Sequence, residues 1–137
     1  MKYLLDTNII SEIQKSACNH GVKSFTDRIP REDMFLSVIT MGELCYGIEK
    51  LPPGKRKHDL ELWFYANVPD YFKDRILPLD TEIMLEWGRL CAGTGRSLST
   101  FDSLIASTAL CYHLTLVTRN TKDFKNIAGI SLLNPWE

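Results

Sequence analysis

Leu114-Thr115-Leu116-Val117-Thr118-Arg119-Asn120-Thr121-Lys122-Asp123-Phe124 opens on five residues rich in β-branched and aliphatic side chains and then turns abruptly polar. A short apolar run bounded by turn residues reads as a fully buried strand, here residues 114–118, with a short helix starting at Thr121. Immediately upstream, Phe101, Leu104, Ile105, Thr108 and Tyr112 recur at helical spacing and predict a helix over about 100–113. A helix feeding a buried strand that feeds another helix is the grammar of a parallel sheet covered on both faces.

The same grammar holds outward from this stretch. Tyr3-Leu4-Leu5 is a short buried strand that stops at Asp6-Thr7-Asn8, and Ile9, Ile10 and Ile13 then predict a helix capped by Thr7 or Asn8. Met34-Phe35-Leu36-Ser37 is a second strand, followed by a helix carrying Met41, Leu44, Cys45 and Ile48 on one face. Pro52-Pro53-Gly54 stops that helix, and a further one with a basic start runs over about 55–67. Arg75-Ile76-Leu77-Pro78-Leu79 predicts a third strand, with Pro78 marking its end or an edge position. A helix over about 81–92, broken by Gly93-Thr94-Gly95, and a last strand, Ile130-Ser131-Leu132-Leu133, complete the pattern.

With 137 residues, 45% hydrophobic and 24% charged, the chain is long enough for one globular domain with its own core. Sixteen Lys and Arg against 17 Asp and Glu exclude a bulk polyanion-binding charge, so a nucleic-acid role needs a local patch. The four cysteines form no C-x-x-C pair, which argues against zinc-ribbon and thioredoxin chemistry. The acid at position 6 comes too early for a signal peptide, and no apolar run approaches a membrane span. The expectation is a cytoplasmic protein in a reducing compartment, with no membrane role.

In a parallel sheet the ligand crevice lies at the carboxyl ends of the strands, so the acids found there carry the chemistry. Asp6 follows the first strand, Glu43 lies six residues past Ser37, Asp123 lies five past Thr118, and Asp102 opens the helix before that strand. Carboxylates crowded together raise one another's pKa and are best stabilised by a cation, and an all-oxygen set suits Mg²⁺ or Mn²⁺ over zinc. A second reading competes: Ser99-x-x-Asp102, Thr40-x-x-Glu43 and Asn120-x-x-Asp123 each fit a helix cap with an acid three residues in. Glu43 also falls opposite the Met41, Leu44, Ile48 face, a position usually solvated, although Ile39 and Tyr46 share its stripe with Lys50.

Four blocks in order then resemble one family. Asp6-Thr7-Asn8-Ile9-Ile10-Ser11-Glu12, Ser37-Val38-Ile39-Thr40-Met41-Gly42-Glu43-Leu44, Asp102-Ser103-Leu104-Ile105-Ala106-Ser107-Thr108-Ala109-Leu110, and Leu116-Val117-Thr118-Arg119-Asn120-Thr121-Lys122-Asp123-Phe124 look like the motifs of PIN-domain ribonucleases, most similar to the VapC-like toxins of bacterial toxin–antitoxin pairs. The resemblance spans the chain and implies a PIN-like three-layer α/β/α fold around a central, mainly parallel sheet, as a single domain over residues 1–137. It implies Mg²⁺-dependent cleavage of RNA, with Mn²⁺ able to substitute. Asp6, Glu43 and Asp102 match the acids that define the family's metal site, and Asp123 matches a more variable fourth. Asp6 and Asp102 are expected as direct ligands, Glu43 as a ligand or water-orienting base, and Asp123 as a supporting or second-metal ligand. Asn8, Thr118 and Asn120 match polar residues that line or orient the site.

The resemblance also implies a small DNA-binding antitoxin as partner, and with Trp63, Phe64, Tyr65 and Tyr71 it suggests a partner groove and a homodimer; packing into the core is the other use for that aromatic run. Setting the four acids aside leaves 13 acidic residues against 16 basic ones, a mildly basic rim around an acidic pit. Arg96, Arg119 and Lys122 are the candidates for RNA phosphate contacts, with Arg119 alternatively holding a site carboxylate. Two other uses of such a pit are a phospho-accepting receiver-like module, which lacks here a paired acid after the first strand, and a haloacid-dehalogenase-like phosphatase with Asp6 as nucleophile, which lacks a second Asp at Asn8. His20, His58 and His113 are scattered, and no triad hydrolase is expected.

Overall fold

A computed structural model describes residues 1–94 and 98–137. Among them are five strands, β1 (Tyr3–Leu5), β2 (Met34–Ser37), β3 (Ile76–Leu77), β4 (Thr115–Val117) and β5 (Ser131–Leu133), in one parallel sheet of order β3-β2-β1-β4-β5. The connecting helices are α1 (Thr7–Ile13), α2 (His20–Arg28), α3 (Val38–Glu49), α4 (Lys55–Leu62), α5 (Val68–Phe72), α6 (Thr81–Thr94), α7 (Thr100–Cys111) and α8 (Thr121–Phe124). β1 is central and pairs with β2 on one side and β4 on the other, Leu4 facing Phe35 and Leu116. The chain winds outward from β1 in both directions, which opens a crevice at the carboxyl end of the β1–β4 pair.

Alternation along each strand splits the core in two. Leu5, Leu36 and Val117 face one side with Ile9, Ile10, Phe25, Leu44 and Phe64. Leu4 and Leu116 face the other with Ile105, Ala106, Ala109 and Phe124. Burying a large aliphatic or aromatic side chain contributes about 1.5–3 kcal/mol, against about 0.5–1.5 kcal/mol net for a ladder hydrogen bond. Strands this short are therefore held by their side chains more than by their ladders. The α7 run Ser103 to Ala109 is buried throughout and made mostly of small residues, so α6 packs closely against it. Its hydroxyls are satisfied locally: Ser107 donates to the Ser103 carbonyl at 2.7 Å and Thr108 to the Leu104 carbonyl at 2.9 Å.

The structure departs from the sequence pattern at several points. α2 had no counterpart in the reading; it carries two buried apolar residues, Val22 and Phe25, and Asn19 caps it by accepting from the Gly21 and Val22 N–H groups. The helix from Lys55 does not end near Asn67: it widens into a π-type turn over Trp63–Asn67 and continues as α5 to Phe72. In a regular helix the ring of Pro69 would strike the carbonyl four residues back, and the wider turn gives it room. β3 is limited to Ile76–Leu77 at the sheet edge, consistent with Pro78, because Arg75 turns its guanidinium onto the carbonyls of Arg31, Met34 and Tyr71. The cap of α1 is Asp6 rather than Thr7 or Asn8. α3 starts directly after β2 with Ser37 as its cap, so Thr40 is not one.

Candidate active site

The site grows from the point where β1 and β4 end side by side. The Asp6 N–H donates to the Val117 carbonyl at 2.9 Å, which fixes its backbone in the sheet, while its side chain turns into the crevice. One carboxylate oxygen accepts from the Thr7 N–H at 2.8 Å and the other from the Thr118 hydroxyl at 2.8 Å. Asp6 is only 6% exposed. Burial pushes its pKa up, the two hydrogen bonds pull the other way, and the negative charges of Asp102 and Glu43 add to the rise.

Thr118, fully buried, is the hub behind this carboxylate. Besides donating to Asp6, its oxygen accepts from the Asn120 N–H at 3.1 Å and faces the Asn8 side-chain amide at 3.4 Å. Asn8 in turn accepts from the Arg119 N–H at 3.3 Å, so the first turn of α1 and the segment after β4 are tied together. The Thr7 hydroxyl donates to the Glu43 carboxylate and stands 3.1 Å from the hydroxyl of buried Thr40. Glu43 is half-buried on α3, so the solvated position its helical wheel suggests is taken up by α1.

Asp102 comes from the opposite wall, in the first turn of α7. Its N–H donates to Ser99 Oγ at 3.1 Å, the predicted cap, and Trp87 of α6 donates to Ser103 Oγ at 2.9 Å to brace the next residue. Partial burial raises the Asp102 pKa, opposed by Ser99 and reinforced by the charge of Asp123.

Asp6, Glu43 and Asp102 line one open cleft of about 410 Å³ with Asn8 and Asn120. Asp123 does not line it: it is exposed and faces a neighbouring cavity with Glu86 and Arg89. Its cap also differs from the prediction, since Asn120 offers α8 its carbonyl and no side-chain bond. Of the predicted phosphate contacts, Arg119 lines the cleft, Lys122 is exposed and does not line it, and Arg96 lies outside the described residues. Two cleft residues had no place in the sequence reading. Lys15 reaches it from the turn just after α1, paired at 3.1 Å with Glu12, which also lines the cleft, and Trp136 reaches it from the segment after β5. The Glu12–Lys15 spacing could have signalled that pair; nothing near Trp136 in sequence ties it to the acids.

All the cleft's anionic donors are carboxylate oxygens, which suits a hard divalent cation. Among the described residues no three acids, histidines or cysteines gather tightly enough to enclose one ion between them.

Fold and site together define the class. The PIN-domain model matches residues 3–130, and the chain belongs to the PIN-domain family. It is 36% identical over 137 residues to the plasmid stability protein StbB of Pseudomonas syringae pv. tomato, covering 98% of each chain. It is 33% identical to the VapC ribonuclease Y4jK of Sinorhizobium fredii, covering 98% of this chain and 97% of the relative. Among solved structures, FitAB bound to an IR36 DNA fragment superposes with a TM-score of 0.89 at 33% identity, covering 98% of this chain and 96% of that one. DNA-bound VapBC from Salmonella typhimurium gives 0.75 at 28% identity, covering 98% of each. With this family membership, the receiver and dehalogenase readings are not favoured.

Proposed function

We propose that the chain is a metal-dependent endoribonuclease acting as the toxin of a toxin–antitoxin pair. The observation that carries this is the convergence of Asp6, Glu43 and Asp102 on one cleft at the sheet's switch point, with Asp6 buried and held by two hydrogen bonds. The names of relatives, among them a VapC ribonuclease and tRNA(fMet)-specific endonucleases, supply the reaction class.

Asp6 and Asp102, on facing walls, would hold Mg²⁺ or Mn²⁺. When bound, the metal supplies a water of lowered pKa and positive charge beside the phosphorus. Burial raises the proton affinity of both carboxylates, with nearby negative charge adding to it, and a cation held between the walls would offset that repulsion. Glu43, whose carboxylate accepts from the Thr7 hydroxyl, would orient the attacking water or accept its proton. Thr118 and Asn8 keep Asp6 in one rotamer, and Asn120 joins them through its backbone. Arg119 offsets the backbone charge of an incoming RNA strand, while Lys15 is paired with Glu12 at the cleft's edge. Asp123 influences the site through its field on Asp102.

The antitoxin belongs in the groove that opens beside Glu43, floored by Leu44, Ile48, Leu60 and Trp63 and edged by Lys15 and Arg56. Of the aromatic run, Phe64 is core, Trp63 faces this groove, and Tyr65 at 61% exposure stands outward beside exposed Leu62. That outward surface is offered to a second copy in a homodimer. No helix among the described residues is long and apolar enough to cross a membrane.

The test is incubation of the purified chain with a mixed RNA pool, with Mg²⁺ and with chelator. Metal-dependent internal cleavage is expected from the wild type and none from Asp6→Asn or Asp102→Asn. Unchanged cleavage in both variants would remove the carboxylates from the reaction. A strict monomer in sedimentation at micromolar concentration would remove the dimer.

A further inference from the structure

The segment after β5 is fastened to the cleft in a way that neither the sheet nor the acids require. Pro135 is buried against the start of α2, where an ideal Cβ on Gly21 would stand 1.9 Å from the Pro135 carbonyl oxygen, so glycine is needed for this approach. The Asn134 side chain bridges two residues: its amide donates to the Arg119 carbonyl at 3.2 Å, and its oxygen accepts from the Trp136 N–H at 2.9 Å. Arg119 then lays its guanidinium over the Trp136 indole, 5.0 Å from the ring centroid. Trp136 packs partly on the core, and both partners line the cleft that holds Asp6, Glu43 and Asp102.

We propose that the Arg119–Trp136 pair is a shelf on which one unpaired nucleobase of the RNA stacks, next to the phosphodiester under attack; this rests on the nuclease reading above. Anionic walls repel phosphate, so a strand entering this cleft needs a contact whose strength does not depend on its charge. The guanidinium plane seated on the half-buried indole, with the ring edge beside it, provides one, since every base has a π face that stacks on aromatic rings and Arg planes alike. The indole backs the guanidinium and holds it flat, and the guanidinium places a positive charge where the adjoining phosphate runs. A base within a duplex already stacks on its neighbours, so the shelf selects single-stranded segments.

The probe is a single-stranded RNA oligonucleotide, chosen from those the wild-type chain cuts, carrying an abasic residue at each position in turn around the cut. One sensitive position is expected, where losing the base raises KM on the order of tenfold with a smaller change in kcat. Trp136→Ala should show the same loss on the intact oligonucleotide and no further loss on the abasic one, and Trp136→Phe should recover most of it. A flat wild-type scan overturns the shelf, as does multiplication of the Trp136→Ala and abasic losses. The scan needs no variant, so it decides even if Trp136→Ala fails to fold, and Arg119→Ala then takes its place. If Trp136→Ala releases a bound antitoxin while RNA kinetics stay unchanged, the surface is a protein contact and the shelf is overturned. A pool left uncut by the wild type in Mg²⁺ overturns the nuclease reading itself, whereas a cut pool with a flat scan overturns the shelf alone.

Discussion

The two walls of the cleft hold equivalent groups in unlike ways. Asp6 sits on the sheet wall, 6% exposed, with both carboxylate oxygens engaged by donors whose positions the β1–β4 pair fixes. Asp102 sits on the helix wall, half-buried in the first turn of α7, and depends on the Ser99 cap. One acid is built into the fold and the other is presented by it. Both are expected to be indispensable to cleavage, but only the first should be costly to the fold when truncated.

The largest effect expected is on activity: Asp6→Ala and Asp102→Ala each abolish metal-dependent cleavage, while their stabilities separate. Asp6→Ala leaves the Thr118 hydroxyl and Thr7 N–H without their acceptor, a penalty partly offset by removing a buried charge beside Asp102 and Glu43, and should cost about 1–2 kcal/mol net in urea unfolding. Asp102→Ala removes a favourable charge at a helix start and relieves repulsion from Asp123, so a change below about 1 kcal/mol is expected. Equal losses in the two urea curves would break the comparison.

Thr118→Val sharpens it, since the shape is kept and the hub hydroxyl is lost. A destabilisation of about 1–2 kcal/mol with at least tenfold weaker cleavage is expected, and Thr118→Ser should restore both. Activity unaffected by Thr118→Val would show that Asp6 needs no holding. A smaller effect separates the cations. Arg119→Ala, in the cleft, should weaken RNA binding by about 1 kcal/mol and lower the salt dependence, whereas Lys122→Ala, exposed and not lining it, should do neither. Titrating RNA at several salt concentrations measures both, and equal losses would place the strand differently.

The smallest effect concerns the far end of the helix wall, where the Tyr112 hydroxyl, just past α7, donates to Asp80 ahead of α6. The bond holds the Asp80 pKa down and pushes that of Tyr112 up to about 12. A depressed carboxylate stabilises the fold above its unfolded pKa and loses that contribution as pH falls through its folded one. A raised phenol stabilises below its unfolded value near 10 and loses that contribution as pH rises toward 12. Tyr112→Phe should therefore lower the melting temperature slightly at neutral pH, with the difference closing below the Asp80 range and near pH 12. A difference that persists at both extremes would mean the ring packing, not the bond, is what counts.

Capping and chemistry, which the sequence presents as rival explanations for Asp102, turn out to be compatible: Asp102 sits in the Ser99 cap of α7 and lines the cleft, and Asp6, where Thr7 or Asn8 was expected, caps α1 with the carboxylate that lines it. Asp6 and Thr118 were legible because strand ends are legible, and the parallel sheet follows from the same runs. Glu43 was legible through its motif and not through its own helix, where it falls opposite the core face, since the Thr7 hydroxyl that engages it lies on α1, 36 positions away. Trp136 left no local trace because its place depends on the Asn134 bridge and on Gly21, more than 100 residues earlier. α2 was missed because its apolar stripe is two residues wide and its start rests on a single Asn19 cap.

The bond from Thr118 to Asp6 spans 112 positions, and β1 has β4 as a partner over the same interval. No nascent chain can carry this pit until Thr118 has left the ribosome. At about 5–20 residues per second, synthesis keeps Asp6 without its hub for on the order of ten seconds, and a pairing so distant in sequence is slow to form even then. The acidic pit is thus missing from most of the growing chain and is assembled late.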